Sequence, residues 1–334
     1  MGAFREPETS QINVASSVDK SESEGLIVVS PRSYSGMIAA SMSKLTSRGA
    51  WPLLAAALML SAACAKKKSP EEPDHPRSTP NVTLRDIIFR SASLNRDMPY
   101  RVIMPARLAV DRKLPVIYLL HGVGGGFRDW SNYSDVAHFA ESGLLLVMPE
   151  GGSSYYTNAV DPPQDRYEDY IVQDLIADVE ARFPVARGRS NRAIVGDSMG
   201  GYGAVKIGLR HPELFSFVGG LSSAIDVPRR AFTIRRLQQS RHYNAIFGPS
   251  GSPTRRENDP YILVRSANPE SLPYFFLTCG EQESLLPSNR DFAALLVQRH
   301  IAHEFHTVDG GHDWSQWNSW LPLLFRKIGE RFKS

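Results

Sequence analysis

A serine flanked by glycines has the clearest chemical meaning in this sequence. Ser198 is the centre of Gly196-Asp-Ser-Met-Gly200, which follows the apolar run Arg192–Val195 and precedes the helix-like stretch Gly201–Arg210. Glycines two residues on either side allow a sharp strand-to-helix turn, which exposes the serine hydroxyl near the positive end of the helix. The pattern alone is a weak signal, but this strand and helix context favours a nucleophile elbow over a structural glycine-rich turn.

A serine hydroxyl needs a base that removes its proton as it attacks, and His312 is the best candidate among the nine histidines. It follows Val308-Asp-Gly-Gly311, where a last strand is predicted to run into a flexible loop. His303 and His306 lie within that strand and are three residues apart, so they face opposite sides and make a poor metal pair. The sequence predicts no metal site.

An acid is expected on the loop after the strand that ends at Cys279, because a carboxylate there can hold the tautomer of the histidine ring. The loop Gly280-Glu-Gln-Glu-Ser-Leu-Leu286 offers two candidates. Glu283 is preferred because the later position lets the loop turn back toward the histidine, and Glu281 remains the alternative. Cys279 lies in an apolar run and is interpreted as a buried structural thiol.

Attack on a carbonyl creates an oxyanion, which needs backbone N–H donors in fixed positions. One donor is predicted to be the N–H of Met199, the residue after the serine. The second is expected from the glycine-rich loop His121-Gly-Val-Gly-Gly-Gly126, which follows a strand ending at Leu120. The loop has neither the helix context nor the lysine of a phosphate-binding loop.

The rest of the chain must supply the sheet that positions these loops. The alternation from Val82 to Met104 predicts two antiparallel strands around a turn at Asn95–Pro99, at one edge of the sheet. Amphipathic helices are predicted over Tyr167–Arg182 and Asn289–His300. Short apolar runs between helical stretches predict a parallel sheet covered on both faces, with strands at Leu114–Leu120, Leu144–Met148, Ala193–Val195, Phe215–Val218 and Tyr274–Leu277.

Composition and charge exclude some partner classes. The 334 residues with 42% hydrophobic content can bury a substantial core, and about 250 of them look continuously globular, which fits one large α/β domain. The formal net charge is only +3, and no basic-aromatic stripe is visible. Nucleic acid is therefore not an expected partner.

The N-terminal quarter is similar to the export signal of a bacterial lipoprotein. Lys44 and Arg48 precede the apolar stretch Trp51–Ala63, which is shorter than the about 20 residues that span a bilayer but suits a secretory signal. Small residues precede Cys64 as in a lipobox, although Ser61 stands where leucine is commoner. We expect lipid attachment at Cys64, with ordinary signal cleavage nearby as the alternative.

These features divide the chain into four parts. Residues 1–41 are predicted to be an upstream or disordered extension, and residues 42–63 a signal peptide. Residues 64–80 carry the lipidated cysteine and a tether rich in proline and charge, and residues 81–334 form the α/β domain. This organisation predicts an exported protein in the periplasm or outer membrane, bound to the membrane by a lipid anchor.

Together the motifs resemble the Putative esterase family of α/β-hydrolases, which holds S-formylglutathione hydrolases (esterase D), feruloyl esterases, enterochelin esterases and mycolyltransferases. The resemblance covers roughly residues 82–332. It rests on Leu119–Gly125 with Trp130, Tyr167–Ile171 with Asp174 and Leu175, Gly196–Ala204, Cys279 with Gly280, and Gly310–Trp314. It implies an α/β-hydrolase fold, with a mostly parallel central sheet and helices on both faces.

The resemblance also implies a role for each motif: a nucleophile, a base, an acid and two oxyanion-binding backbone N–H groups. In that order these are Ser198, His312, Glu283, Val123 and Met199. The family's acid is often aspartate, so Glu283 is a longer arm than usual and Glu281 stays open. The resemblance further implies hydrolysis of carboxylic esters with no metal or organic cofactor.

The leading prediction is a membrane-tethered serine carboxylesterase that hydrolyses small or aromatic acyl esters through an acyl-enzyme. A periplasmic siderophore-lactone esterase, an acyltransferase and a catalytically inactive binding module are the alternatives. Residues 224–271 contain eight arginines and are expected to set specificity. A solvated basic surface is favoured for this segment over a pocket for an anionic substrate.

Overall fold

The computed structural model describes residues 73–333. The predicted extension, the signal peptide, Cys64 and most of the predicted tether lie outside these residues. Among the residues that are described, no helix combines the length and the apolar character needed to cross a membrane.

Eight strands form one sheet in the order β1-β2-β4-β3-β5-β6-β7-β8. β1 and β4 pair with β2 in antiparallel fashion, and all other neighbours are parallel. The predicted mostly parallel sheet with an antiparallel pair at one edge is therefore confirmed. The strands are β1 (Val82–Ser91), β2 (Arg96–Pro105), β3 (Val116–Leu120), β4 (Leu145–Pro149), β5 (Arg192–Asp197), β6 (Phe217–Leu221), β7 (Tyr274–Gly280) and β8 (His303–Val308).

Helices cover both faces of the sheet, which explains why β3, β4, β5 and β6 are buried along their whole length. The helices are α1 (Asp129–Tyr133), α2 (Val136–Ala140), α3 (Tyr167–Asp169, a π-helical part Tyr170–Leu175, and Ile176–Arg182), α4 (Met199–Arg210), α5 (Leu237–Phe247), α6 (Pro253–Glu257), α7 (Pro260–Ser266), α8 (Leu286–Gln298) and α9 (Trp314–Arg331). One hydrophobic core contains side chains of α3, α4, α5, α7 and α8. The other contains those of α1, α2 and α9.

A buried ion pair joins α3 to α4. Lys206 Nζ lies 2.6 Å from Glu168 Oε2, and both side chains are almost fully buried. Arg210 and His211 bind the other oxygen of Glu168. Burial opposes ionisation of Glu168, but these neighbours hold the pKa of its carboxyl well below the usual range. The helix after the elbow is thereby fixed to the core by charge as well as by packing.

Some element boundaries differ from the sequence prediction. The predicted turn at Asn95–Pro99 is wrong, because the turn precedes Arg96 and Pro99 already belongs to β2. The carbonyl of Pro99 accepts the N–H of Glu150 on the β4 side, just beyond the end of the β2–β4 ladder at Tyr100. A missing N–H there removes no ladder hydrogen bond, so proline is tolerated. α8 likewise begins at Leu286, before its predicted start.

Contacts of the domain begin within the segment predicted to be a tether. Asp74 binds both Nη atoms of Arg101, at 2.9 and 2.7 Å. Arg101 is 1% exposed and also binds Asp86 and Ser131. The N–H of Arg77 donates to the carbonyl of Ser131 at 2.8 Å. The chain is therefore attached to the sheet from Asp74 onward.

Candidate active site

Five strands deliver their following loops to the same edge of the sheet. Because β3, β5, β6, β7 and β8 are parallel neighbours, their carboxyl ends lie side by side. The loops after β3, β5, β7 and β8 are those in which the sequence predicts the oxyanion loop, the serine, the acid and the histidine. Topology alone thus brings together four motifs that are far apart in the sequence.

Ser198 occupies a strained turn between β5 and α4. Its φ is +52° and its ψ is −110°, which non-glycine residues rarely adopt. A Cβ at Gly196 would overlap the backbone of Gly200, and one at Gly200 would overlap the carbonyl of Leu120. The N–H of Ser198 donates to the carbonyl of Leu221 at 2.8 Å. Only glycine at both flanking positions permits this close approach, as the sequence pattern predicts.

The three side chains predicted to act together form one chain of hydrogen bonds, with His312 between the other two. His312 Nε2 is 2.8 Å from Ser198 Oγ, and His312 Nδ1 is 2.7 Å from Glu283 Oε2. With a carboxylate on one side, Nδ1 carries the proton and Nε2 accepts from the serine hydroxyl. Asp313 fixes the histidine loop because its Oδ1 accepts the N–H groups of Ser315 and Gln316 at the start of α9.

Glu283 is held by two further donors. Its Oε1 accepts the hydroxyl of Ser222 at 2.5 Å and the N–H of Gly280 at 2.7 Å. Trp317 Nε1 donates to the hydroxyl of Ser222 at 3.0 Å, and the Trp317 ring packs edge-on against His312 at 5.2 Å. These contacts leave Oε2 for the histidine and accommodate the longer glutamate arm. Charge-assisted hydrogen bonds of this kind fix a carboxylate in both position and orientation.

The alternative acid, Glu281, does not reach the histidine. Its Oε1 accepts the hydroxyl of Thr307 on β8 at 3.0 Å, and its side chain is exposed. Glu283, in contrast, has a side chain that is 1% exposed and hydrogen-bonded to His312. The geometry therefore favours Glu283.

The glycine-rich loop lies over the elbow. His121 is buried, its Nδ1 donates to the carbonyl of Gly122, and its Nε2 accepts the N–H of Gly151. The N–H of Met199 lies in the first turn of α4, where helices leave N–H groups without a partner. The N–H of Val123 donates to no backbone carbonyl of the described loops. Neither predicted oxyanion donor gives its N–H to a backbone carbonyl of the described loops.

Asp197, which precedes the serine of the elbow, is a buried carboxyl that forms no ion pair with another of the described residues. It is 2% exposed, and its Oδ1 has no hydrogen-bond partner among the described residues. A Cβ at Gly122 would lie 2.6 Å from its Oδ2. Burial raises the pKa of Asp197 to about 7, which His121 and His312 oppose and Asp129 reinforces. Near neutral pH this carboxyl is therefore partly a neutral acid.

The arginine-rich segment starts directly behind the serine, since the N–H of Ala224 donates to the carbonyl of Ser198. Its arginines differ in their surroundings. Arg230 pairs with Asp226 at 2.9 Å, and Arg229 pairs with Asp259 at 2.7 Å. Arg255 is buried, and Arg265 donates to the carbonyl of Tyr261. The exposed arginines are Arg235, Arg236, Arg241 and Arg256.

The remaining sequence candidates lie apart from the serine. Cys279 is fully buried, and burial raises the pKa of its thiol. His306 binds Glu304, and His303 binds the carbonyl of Ile301. Within residues 73–333, no group of three or more histidine, cysteine and carboxylate side chains could hold a metal ion.

Sequence reasoning missed three residues that contact the site, Ser222, Trp317 and Asp197. The position of Asp197 inside the glycine-serine motif is a signal that could have drawn attention to it. Ser222 has no sequence signal, because it follows β6 and meets Glu283 only through the order of the strands.

Comparisons with known proteins agree with this architecture. A family model described as Putative esterase matches residues 91–328. An acetyl esterase of Caldicellulosiruptor saccharolyticus is 26% identical over 259 residues, which are 73% of this chain and 97% of that protein. The diacylglycerol acyltransferase/mycolyltransferase Ag85B of Mycobacterium leprae is 29% identical over 244 residues, which are 63% of this chain and 74% of the relative.

Solved structures share the fold. FphF, a fluorophosphonate-binding serine hydrolase of Staphylococcus aureus, matches with a TM-score of 0.64 at 25% identity, covering 76% of this chain and 99% of that protein. A ferulic acid esterase and S-formylglutathione hydrolases are similar in fold. Because one family model spans β2 to β8, the elbow and the loops around it, this chain belongs to the Putative esterase family of α/β-hydrolases, serine hydrolases that act on carboxylic esters.

Proposed function

We propose that this chain is a serine carboxylesterase in which Ser198 attacks the ester, His312 is the base and Glu283 orients the histidine. One observation carries the proposal: the continuous hydrogen-bond chain from Ser198 Oγ through His312 to Glu283, with links of 2.8 and 2.7 Å. A nucleophile, a base and an orienting carboxylate in this order are the arrangement that serine hydrolases use.

In the first half-reaction, Ser198 Oγ forms a bond to the carbonyl carbon while its proton moves to His312 Nε2. The carbonyl oxygen becomes an oxyanion, which the N–H groups of Val123 and Met199 stabilise. The intermediate collapses when the bond to the alcohol oxygen breaks, and the imidazolium gives its proton to that oxygen. The alcohol leaves, and the acyl group remains on the serine.

In the second half-reaction, water replaces the alcohol and the same groups act in reverse. His312 Nε2 takes a proton from the water as it attacks the acyl carbon, and then returns it to Ser198 Oγ as the acid leaves. Glu283 keeps its hydrogen bond to His312 Nδ1 throughout and stabilises the imidazolium that forms twice per turnover. Ser222 and the N–H of Gly280 keep its Oε1 occupied.

We further propose that the substrates are esters of small or aromatic acids. Support comes from the relatives: one curated relative is an acetyl esterase, and a ferulic acid esterase shares the fold. This chain covers 97% of the length of that acetyl esterase. Acyl preference resides in loops, so the acyl range is a proposal separate from the triad.

The test compares initial hydrolysis rates of 4-nitrophenyl acetate, butyrate, octanoate and ferulate by the full chain and by Ser198→Ala. We expect the variant to lose at least about 10³-fold in kcat, because removing a triad nucleophile leaves only binding and the oxyanion hole. His312→Gln should behave alike, and His306→Gln on β8 is the matched control. Equal rates for wild type and Ser198→Ala would contradict the proposal.

Acyl transfer is the second candidate, because Ag85B of Mycobacterium leprae, named as an acyltransferase, is 29% identical. Transfer requires that an alcohol intercept the acyl-enzyme before water does. Product analysis with added glycerol distinguishes the two activities. A new ester that grows with alcohol concentration would favour transfer, and free acid alone favours hydrolysis.

We also propose that the chain is exported and anchored through a lipid on Cys64. The basic residues, the apolar stretch and the cysteine in its N-terminal part support this. Labelling cells with an alkyne analogue of palmitate should mark the wild type and not Cys64→Ala. Unlabelled wild type in the soluble fraction would exclude the anchor.

A further inference from the structure

An open surface cavity whose wall includes three arginines lies within residues 224–271. Its volume is about 270 Å³, and its wall consists of Arg229, Arg255, Arg256, Asp259, Pro228 and the Ser250–Gly251 turn. None of these residues belongs to the proposed triad or to the glycine-rich loop. Three cations and one anion give the wall a formal charge of +2.

Arg255 is the buried element of this wall. It is 4% exposed, and its Nε donates to the carbonyl of Gly248 at 2.9 Å. Nη1 donates to the carbonyls of Pro228 and Arg230, and Nη2 donates to Asn244 Oδ1. All four acceptors are neutral, and burial lowers the pKa of the guanidinium. These hydrogen bonds fix the plane of the Arg255 guanidinium, but its charge has no carboxylate partner among the described residues.

The one acidic group in the wall is already neutralised. Asp259 Oδ2 accepts Arg229 Nε at 2.7 Å, and its Oδ1 accepts the N–H of Tyr261 at 2.9 Å. The guanidinium of Arg229 also lies 3.8 Å from the centre of the Tyr261 ring. Its Nη atoms donate to no described residue, and Arg256 is exposed. The remaining charge of +2 belongs to Arg255 and Arg256.

We propose that this cavity binds a small oxyanion, a phosphate, sulfate or carboxylate group, between Arg255, Arg256 and the Nη atoms of Arg229. The guanidinium groups of Arg229 and Arg256 present paired N–H donors that match the oxygens of such anions. Arg255 adds its charge and the one N–H of Nη2 that its four neutral acceptors leave over. A bound anion would also offset the desolvated charge of Arg255, which otherwise has only dipoles around it. The adjoining turn leaves room, since Gly251 has a φ of +81° and no atom lies within 4 Å of its Cβ position.

The test follows thermal unfolding of the full chain during titration with sodium phosphate and sodium sulfate, with ionic strength held constant by sodium chloride. A ligand that binds only the folded state raises Tm, and above Kd the gain in stability grows with the logarithm of the ligand concentration. Arg256→Ala should weaken the apparent Kd about tenfold, as expected for loss of a charge-assisted hydrogen bond. Arg235→Ala removes an exposed arginine of the same segment that lies outside the wall, and it should leave Kd unchanged.

Arg255→Lys keeps the charge and loses the planar donor set, so it should also weaken binding. Because Arg255 is buried, that variant can fail to fold, and Arg256→Ala then decides. The proposal is overturned when phosphate and sulfate raise Tm no more than the chloride control does, or when Arg256→Ala and Arg235→Ala lose affinity equally. Neither measurement needs catalysis, so the result is independent of the proposed esterase activity.

The anion can be free in solution or part of an ester substrate. Once phosphate binding has been shown, comparing kcat/KM for 4-nitrophenyl butyrate and 4-nitrophenyl hemisuccinate distinguishes a free anion from an acidic group of the substrate. A loss confined to the acidic ester in Arg256→Ala identifies a group on the substrate. If Arg256→Ala leaves kcat/KM unchanged for both esters, the anion is free in solution.

Discussion

Replacing Asp197 by asparagine should stabilise the fold, and increasingly so as the pH rises. Asp197 is 2% exposed, with one carboxyl oxygen unpartnered and the other against Gly122. Ionising such a group in the folded state is unfavourable because burial removes its hydration. Asparagine has nearly the same shape and cannot ionise. The substitution therefore removes the charge while it keeps the packing.

The magnitude follows from the pKa of Asp197. Its folded value of about 7 stands against an ordinary value of 3.8, a difference of about 3 units at about 1.4 kcal/mol each. Between these two values the folded state keeps a proton that the unfolded state has lost. Stability consequently falls as the pH rises through this window, by about 4 kcal/mol in total. Below about pH 4 this loss of stability is small, and above about pH 8 it is constant.

Urea unfolding at pH 4.5, 6, 7 and 8 measures this effect. The free energy of unfolding of Asp197→Asn minus that of wild type should grow by roughly 3 to 4 kcal/mol across the series. Asp97→Asn is the matched control, because Asp97 is exposed on the β1–β2 hairpin and its variant should follow the wild-type curve. Parallel curves for wild type and Asp197→Asn would refute the reasoning, since they would mean that the buried carboxyl does not retain its proton.

Three further outcomes are expected. Ser222→Ala removes the hydroxyl donor on Glu283, so kcat should fall about tenfold to hundredfold with KM little changed in steady-state kinetics. Glu283→Gln should lower kcat by about 10⁴-fold, because an amide favours the wrong histidine tautomer, whereas Glu281→Gln should stay within about twofold; equal losses would contradict the assignment. Lys206→Met removes one of the three partners of the buried Glu168 carboxylate and leaves Arg210 and His211, so it should cost about 1.5–3 kcal/mol in urea unfolding at pH 7. That loss should shrink as the pH falls and Glu168 becomes protonated.

The parts that could be predicted from the sequence are those fixed by local rules. The elbow around Ser198 is one, since strand, glycine spacing and helix are contiguous in the chain. The parallel sheet is another, because its strands are short apolar runs that need burial on both faces. The turn before Arg96 was misplaced because Pro99 looked like a turn residue, and only pairing with β4 reveals that its N–H is not needed.

The parts that could not be predicted depend on which strands become neighbours. Ser222 meets Glu283, and Trp317 meets Ser222, only because β6, β7 and α9 converge at one edge. The sequence left Glu281 and Glu283 open, and the choice depends on where the loop after β7 turns. Asp197 lies within a recognised motif, but its missing partner is a property of the packed structure.

The attachment of Asp74 to Arg101 has a practical consequence for shortened forms of this protein. The family match starts at residue 91, inside β1, so a fragment cut to those limits would lose most of the outer strand. A cut at residue 81 would keep β1 but remove Asp74, one of the two carboxylates that neutralise a guanidinium with 1% exposure. Protease protection should accordingly begin near Asp74. Fragments intended for crystallisation or expression should start before that residue.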